Sequence, residues 1–345
     1  MTLSHTLSRR GALALGLAAS TALVPLQAVA NDNVILRLNF TPWAMHAQYF
    51  AALEQGFYAE EGLNVEIRPA AAGQQNEALI ATGREHFGVS NADSFIKARS
   101  AGLPVVAVMA DQPDTPFSII TLEENPIHGP EDMAGMKLSW FPSNVPGLVE
   151  PVFRAGGLTG SDIEFVTVSR GSEQQLLVAG AVDAIFGFFY GQALTLNHMG
   201  HPTRVFPVRD YGVEFQGNII YTSDALVEND PELVERFLRA TLRGLIWTKD
   251  NMDQAMDYII AASPDRDHGL EVEKLEMIYE FYNTEDYADF FGQMHEWKWQ
   301  TSIDTLAETG DLERIPEPSE LFTNRFLENI PEAAEFGQMI RDAAS

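Results

Sequence analysis

Two histidine arrangements could do metal chemistry, and each is incomplete. His198 and His201 are three apart, a spacing that puts two ring nitrogens on one helix face. Gly200 and Pro202 end a helix there, and no third ligand is in reach. His295-Glu296 lacks the second histidine of a zinc-protease helix. The 345 residues contain no cysteine, which removes disulfides, thiolate metal sites and cysteine nucleophiles together. There is no Gly-x-Ser-x-Gly elbow for a serine nucleophile and no Gly-x-x-x-x-Gly-Lys-Ser/Thr loop for a nucleotide phosphate. No catalytic set and no cofactor is therefore expected.

The polar residues that remain are suited to holding a ligand. Asn39, Phe40, Trp43 and His46 follow a β-like run at Val34–Asn39, and Ser90, Asn91 and Asp93 follow another at Phe87–Ser90. Ser139, Trp140, Phe141, Ser143 and Asn144 follow Lys137–Phe141, and Phe188 and Tyr190 follow Val182–Phe186. In open α/β sheets, ligands lie outside the carboxyl ends of the strands, and these are such ends. The set is rich in aromatic rings and poor in charge, which suits a flat ring held between aromatic faces and oriented by a few polar groups. Trp43 and Tyr190 are the expected sandwiching pair, with Asn39, Asn91 and Asp93 reading donors and acceptors. Each assignment has a plainer counterpart. Phe40, Trp140, Phe186 and Phe189 are equally suited to a core, His46 to a bond within its own domain, and Asp93 to capping the helix after it. An anion site is the competing chemistry. Helix N-termini at Pro146-Gly147 and Gly171-Ser172, with Arg170 beside the second, offer N–H groups and charge. No Arg or Lys falls among the candidates before residue 100, so a neutral or weakly charged ring is preferred.

The elements that must position these residues alternate. Beyond the runs named above, β-like runs at Val65–Ile67, Val105–Met109 and Ile163–Val168 are separated by helical stretches near Gln74–Ala81, Ala92–Ala101, Gly147–Ala155 and Glu173–Ala179. This pattern predicts an α/β fold with mixed, mostly parallel sheets, built as two similar β-α-β-α-β units and hence two lobes. Phe117–Leu122 and Asn218–Thr222 flank the second unit and are expected to cross between the lobes as a hinge. The expected division is 31–116 plus 223–345 for the first lobe and 117–222 for the second. Helices fill the chain from Pro231, which follows Asp230 as a first-turn residue.

Residues 1–30 read as an export signal. Ser8-Arg9-Arg10 precedes an apolar run from Leu13 to Leu26, and Ala28-Val29-Ala30 supplies a small-x-small cleavage site. The paired arginines fit the twin-arginine route, whereas Ala12 fits Sec export as well. The full chain has formal charge −27, and two arginines and no acids lie in the first thirty residues, leaving −29 on 31–345. Such a surface disfavours nucleic acid and anionic lipid. The expected location is the periplasm.

Particular stretches also resemble a known family. They are Leu38-Asn39-Phe40-Thr41-Pro42-Trp43 leading to His46, Gly56-Phe57-Tyr58-Ala59-Glu60-Glu61-Gly62-Leu63-Asn64-Val65, Phe87-Gly88-Val89 and Ala98–Val106, together with Glu131–Lys137 and Gly180–Ala184. With these the chain is similar to the solute-binding proteins of ABC transporters, in the nitrate, sulfonate and thiamine-pyrimidine-precursor branch of type II two-lobed receptors. The Asn39–His46 stretch and Asp210-Tyr211-Gly212-Val213 lean toward the pyrimidine-precursor binders. The resemblance implies a monomeric receptor that holds a small ligand between two lobes and delivers it to a membrane permease with a cytoplasmic ATPase. It implies a thiamine-pyrimidine precursor first, then riboflavin, an alkanesulfonate or an aromatic carboxylate. Enzymes of the same fold make the thiamine pyrimidine, and the resemblance to them implies a cysteine-rich motif that is missing here. A receptor that signals would continue into a membrane span, whereas this sequence ends in Asp342-Ala343-Ala344-Ser345.

Overall fold

The computed structural model describes residues 31–70, 75–141, 146–169, 171–287 and 289–344. The first unit runs β1 (Asp32–Arg37), α1 (Ala47–Glu54), α2 (Phe57–Glu60), β2 (Leu63–Arg68), α3 (Asn76–Ala81), β3 (Phe87–Asn91), α4 (Ala92–Ser100) and β4 (Val105–Ala110). The second runs β5 (Phe117–Leu122), β6 (Lys137–Trp140), α5 (Glu150–Ala155), β7 (Glu164–Thr167), α6 (Glu173–Val178), β8 (Ala184–Phe188), α7 (Leu194–His198) and β9 (Thr203–Pro207). The chain then returns through β10 (Asn218–Ser223). It ends in α8 (Asp224–Asn229), α9 (Pro231–Asp250), α10 (Met252–Ala262), α11 (His268–Phe281), α12 (Glu296–Glu308) and α13 (Pro331–Ala344). The α/β reading and its two mixed, mostly parallel sheets are as the alternation predicts.

The two sheets have one topology. Their strand orders are β2-β1-β3-β10-β4 and β7-β6-β8-β5-β9. In the first, β1 pairs in parallel with β2 and β3, and β10 lies antiparallel between β3 and β4. In the second, β6 pairs in parallel with β7 and β8, and β5 lies antiparallel between β8 and β9. Each sheet thus takes its one antiparallel strand from chain that has just arrived from the other unit. This corrects the expected hinge. Asn218–Ser223 is a buried inner strand of the first sheet, so residues 218–222 do not belong with the second unit. Phe117–Leu122 is likewise an inner strand of the second sheet. β9 has no counterpart in the sequence reading.

The crossings are the short segments before these strands. The backbone N–H groups of Asp111 and Gln112 both donate to the Asn218 carbonyl, at 2.8 and 3.0 Å, and Thr115 donates to the Phe215 carbonyl at 3.1 Å. A Cβ on Gly217 would fall 2.3 Å from the Asp114 carbonyl oxygen, so the two segments run closer than any other residue allows. The C-terminal helices cover the first sheet, as expected. The Asp230 side chain caps α9 by accepting from Leu233 N at 3.1 Å, with Pro231 in the first turn. α9 then crosses α1 so closely that a Cβ on Gly244 would lie 2.3 Å from the Gln48 carbonyl oxygen. Among the described residues no helix is long and apolar enough to cross a membrane.

A buried carboxylate sits where the first crossing begins. Asp111 is 1% exposed, and one of its oxygens accepts from Gln48 Nε2 at 2.7 Å while the other has no partner. Burial pushes its carboxyl up to about 7, against a smaller lowering by Tyr49 and Gln48. The folded chain therefore holds a proton that the unfolded chain has already released between about pH 4 and 7, and stability falls as pH rises through that window. An Asp111→Asn variant should gain stability over the parent, by about 2 kcal/mol more at pH 8 than at pH 5. Urea unfolding at the two pH values checks this; equal gains would place the carboxyl in its ordinary range.

Candidate ligand-binding cleft

The carboxyl ends of β1 and β3 face those of β6 and β8 across a cavity of about 320 Å³. That lies at the small end of the range for small-molecule sites, ~300–1,000 Å³.

On the first-sheet side the chain leaves β1 through Asn39 and Phe40 and turns at Trp43. His46 closes the turn, fully buried against the protein rather than against the cavity. Asn39 Nδ2 donates to Asn91 Oδ1 at 3.2 Å, which turns the Asn39 oxygen toward His46 Nε2 at 3.0 Å. His46 must therefore carry its proton on Nε2, and its Nδ1 has no partner among the described residues. Burial, and next the Arg266 charge, bring its pKa down to about 3, so the ring stays neutral. His46, expected among the ligand contacts, instead holds Asn39 in place. Asn39 holds Asn91, and both asparagines line the cavity with Phe40, Trp43, Met45, Asp93 and Ser94.

Two cations complete this wall. Glu271, in the first turn of α11, accepts the Ala44 N–H at 2.8 Å on one oxygen. Its other oxygen takes Lys274 Nζ at 2.7 Å and Arg266 Nη1 at 3.4 Å. Arg266 also donates to the Pro42 carbonyl and, at 3.0 Å, to Thr41 Oγ1. Lys274 Nζ lies 5.9 Å from the Trp43 ring centroid. Burial lowers the pKa of both cations, opposed by the Glu271 charge. Strand-end reasoning missed Arg266 and Lys274 because they come from the turn before α11 and from α11 itself, more than 220 residues along the chain. Their presence removes the premise that the first wall is free of Arg and Lys.

The second-sheet side is aromatic. Phe117, Phe141, Phe186 and Phe188 line it, with Phe117 and Phe186 stacked at 4.6 Å and 11°. Phe117 and Phe186 are pocket residues here rather than core alone. Gln192 lines it too, accepting from Phe188 N at 2.9 Å, with Gly171, Glu173, Gln174, Gly191 and Thr195. Glu173 is 5% exposed and accepts from Gly171 N at 2.7 Å.

Tyr190 departs from expectation. It is fully buried and does not border the cavity. Its ring stacks on Trp43 itself, at 5.9 Å between centroids and 26° between planes, so the two rings pack on each other rather than flanking the cavity. Its hydroxyl accepts from Gln112 Nε2, in the first crossing, and its burial holds that hydroxyl well above the ordinary phenol range. Tyr190 thus links the far wall to the first crossing segment. Phe188 remains the second-sheet ring facing both cavity and Trp43, at 6.3 Å and 31°. A Cβ on Gly191 would lie 3.6 Å from the Trp43 ring, which is how near the walls come.

Ser90 and Ser139 are also not at the cavity. Ser90 points the other way from Asn91, as neighbours on a strand do, and donates to Glu77 at 2.7 Å. Ser139 is buried within the second sheet. Asn144, Ser143 and Arg170 lie outside the described residues. Of the expected contacts, the cavity brings together Asn39, Phe40, Trp43, Asn91, Asp93, Phe141 and Phe188.

A family model described as NMT1/THI5 like matches residues 43–255, which is more than half of the chain. The chain belongs to the NMT1/THI5-like family. Among its relatives, the formylaminopyrimidine-binding protein of Halalkalibacterium halodurans is 30% identical over 285 residues, 80% of this chain and 85% of that one. The riboflavin-binding protein RibY of Chloroflexus aurantiacus is 25% identical over 305 residues, 86% of each chain. The NMT1/THI5-like family also includes catalysts. A 4-amino-5-hydroxymethyl-2-methylpyrimidine phosphate synthase of Legionella pneumophila is 23% identical over 68% of this chain and 74% of that one. The periplasmic aliphatic sulphonate binding protein SsuA from Escherichia coli superimposes with a TM-score of 0.67 at 16% identity, over 84% of this chain and 91% of that one. This shows a shared periplasmic-binding-protein fold.

Removing only the Tyr190 hydroxyl should loosen the link to the hinge while leaving the cavity walls unchanged. A Tyr190→Phe variant is expected to keep its far-ultraviolet dichroism. Its ligand-free radius of gyration should rise in small-angle scattering. A curve superimposable on the parent's would mean the Gln112 contact does not hold the walls together.

Proposed function

We propose that this chain is the extracytoplasmic solute receptor of an ABC importer, and that it captures a flat heteroaromatic ring, with a thiamine-pyrimidine precursor as the leading candidate. The observation that carries the reading is the wall of four phenylalanines facing Trp43 and a pair of oriented asparagines. Aromatic faces supply affinity for a planar ring, and the asparagines supply orientation. The family relationship to a formylaminopyrimidine-binding protein and to RibY supports the same class of ligand. A ring the size of riboflavin is the second reading.

The receptor works by closure. A ligand meets the first wall, whose groups are fixed by His46 and Glu271, and the aromatic wall then swings over it about residues 111–116 and 213–217. Closure brings the aromatic wall and Trp43 together onto the ligand ring and presents both walls to a permease. ATP hydrolysis belongs to the permease's partner. Residues 1–30 act as the export address, the receptor is a periplasmic monomer, and the chain catalyses nothing. The absence of cysteine supports this last point, since it removes the motif implied for the related synthases.

A thermal-shift panel tests the reading. A ligand at about a thousand times its Kd should stabilise the protein by roughly 4 kcal/mol. We expect this with 4-amino-5-hydroxymethyl-2-methylpyrimidine or its formylamino relative, and not with taurine or nitrate. A response to alkanesulfonates alone would overturn the ring reading and leave the receptor. Trp43→Ala should weaken binding by about 30-fold or more, roughly 2 kcal/mol, with the circular dichroism retained. An unchanged affinity would take Trp43 out of the site.

A further inference from the structure

Asp93 borders the cavity and is 5% exposed, yet its Oδ1 has no hydrogen-bond partner among the described residues. It lies in the first turn of α4, where its own N–H and that of Ser94 act on the carboxylate. A buried acceptor left unpaired carries the full cost of its lost hydration, and any group that pairs it recovers that cost.

The charges around the cavity show which kind of group is wanted. Arg266 and Lys274, the two cations of the wall, are already engaged by Glu271. Among the described residues, no cation lies within hydrogen-bond distance of Asp93. Lys97, one turn along α4, acts on it only from a distance and pairs with Asp311 at 3.4 Å. Glu77 on α3 adds negative charge from the other side, and Glu173 adds another carboxylate across the cleft. Among the described residues, Asp93, Glu77, Glu173 and Glu271 outnumber Lys97, Arg266 and Lys274 by one. The unfilled position therefore asks for a donor, not for an anion. Two residues earlier, Asn91 has its oxygen occupied by Asn39, which leaves its N–H groups to donate. An acceptor beside a donor is the complement of an amino-substituted azine, whose exocyclic N–H neighbours a ring nitrogen.

We infer that Asp93 is the specificity-determining residue of the cleft, and that with Asn91 it selects aromatic azines carrying an amino group next to a ring nitrogen. This rests on the ring-receptor reading and narrows it to a chemical class. Burial pushes the Asp93 carboxyl up to about 6, which still leaves it ionised and accepting at neutral pH. Sites built around a buried polar group reject analogues that lack its partner far more strongly than apolar pockets reject a change in size.

The test is titration calorimetry at pH 7.5 with two probes: 4-amino-5-hydroxymethyl-2-methylpyrimidine, and the same ring with hydrogen in place of the amino group. The protein should bind the amino probe about 100-fold more tightly or better. In Asp93→Asn that preference should fall below about five-fold, chiefly through weaker binding of the amino probe. Retained binding of the hydrogen analogue serves as the check that the variant is folded. Equal affinities for the two probes in the unaltered protein would overturn the role of Asp93 while leaving the ring receptor standing. So would a preference that survives in Asp93→Asn. If neither ring bound and ethanesulfonate did, the ring reading would fail, and the assignment of Asp93 with it.

Discussion

Each sheet borrows its antiparallel strand from the far side of the molecule, and this exchange organises everything else. β10 can enter between β3 and β4 only after the chain has built the second sheet, and β5 can enter between β8 and β9 only after leaving the first. Two connections must therefore pass between the units side by side, and their backbone groups satisfy one another through Asn218 and Phe215. The two connections make a double crossing between the sheets. It also brings the carboxyl ends of β1, β3, β6 and β8 face to face, which is where loops and helix N-termini gather in an α/β sheet.

The first wall is then made rigid by charge rather than by apolar packing. Glu271 ties α11 to the Ala44 backbone, to Arg266 and to Lys274, and Arg266 in turn reaches the Thr41–Pro42 loop. A buried carboxylate with two cations and a backbone donor is well compensated, whereas removing any one member would leave charge stranded in a poor solvent. The neutral His46 does the same service for Asn39 with a single N–H. The second wall has the opposite character: rings on rings, with Gln192 turned back onto the Phe188 backbone. A wall fixed by polar bonds opposite a wall of hydrophobic faces can orient a planar guest on one side and cover it from the other.

Tyr190 shows how a residue at the mouth of a site can serve the hinge instead. It follows Phe188 by two positions, but the five-residue π-helical turn at Phe189–Ala193 swings its ring inward, beneath Trp43 and onto Phe281. Its hydroxyl ends on Gln112 at the crossing. Arg209, from the second unit, lies 5.0 Å from the Phe281 ring centroid, and so adds a cation–π contact to the same seam. The seam joins the aromatic wall to the first crossing through the Gln112 contact.

The sequence by itself determined the alternation of strand and helix, and with it the α/β class, the paired units and the strand ends where Asn39, Trp43, Asn91, Asp93, Phe141 and Phe188 gather. Those features rest on period and local propensity, which a few consecutive residues carry. It also carried the family, through stretches such as the one from Asn39 to His46. Only the tertiary structure decided the rest. Whether Asn218–Thr222 crosses or inserts depends on which strands lie beside it, and a short β-branched run reads the same either way. Arg266 and Lys274 reach the cavity because α11 folds back on a loop more than 220 residues earlier, a proximity with no local signature. His46 and Tyr190 looked like ligand contacts because strand ends point at sites in general. Rotation of a side chain by one position along a tight turn is set by packing against Gln112, Trp43 and Phe281, and those neighbours exist only once the two sheets have exchanged their strands.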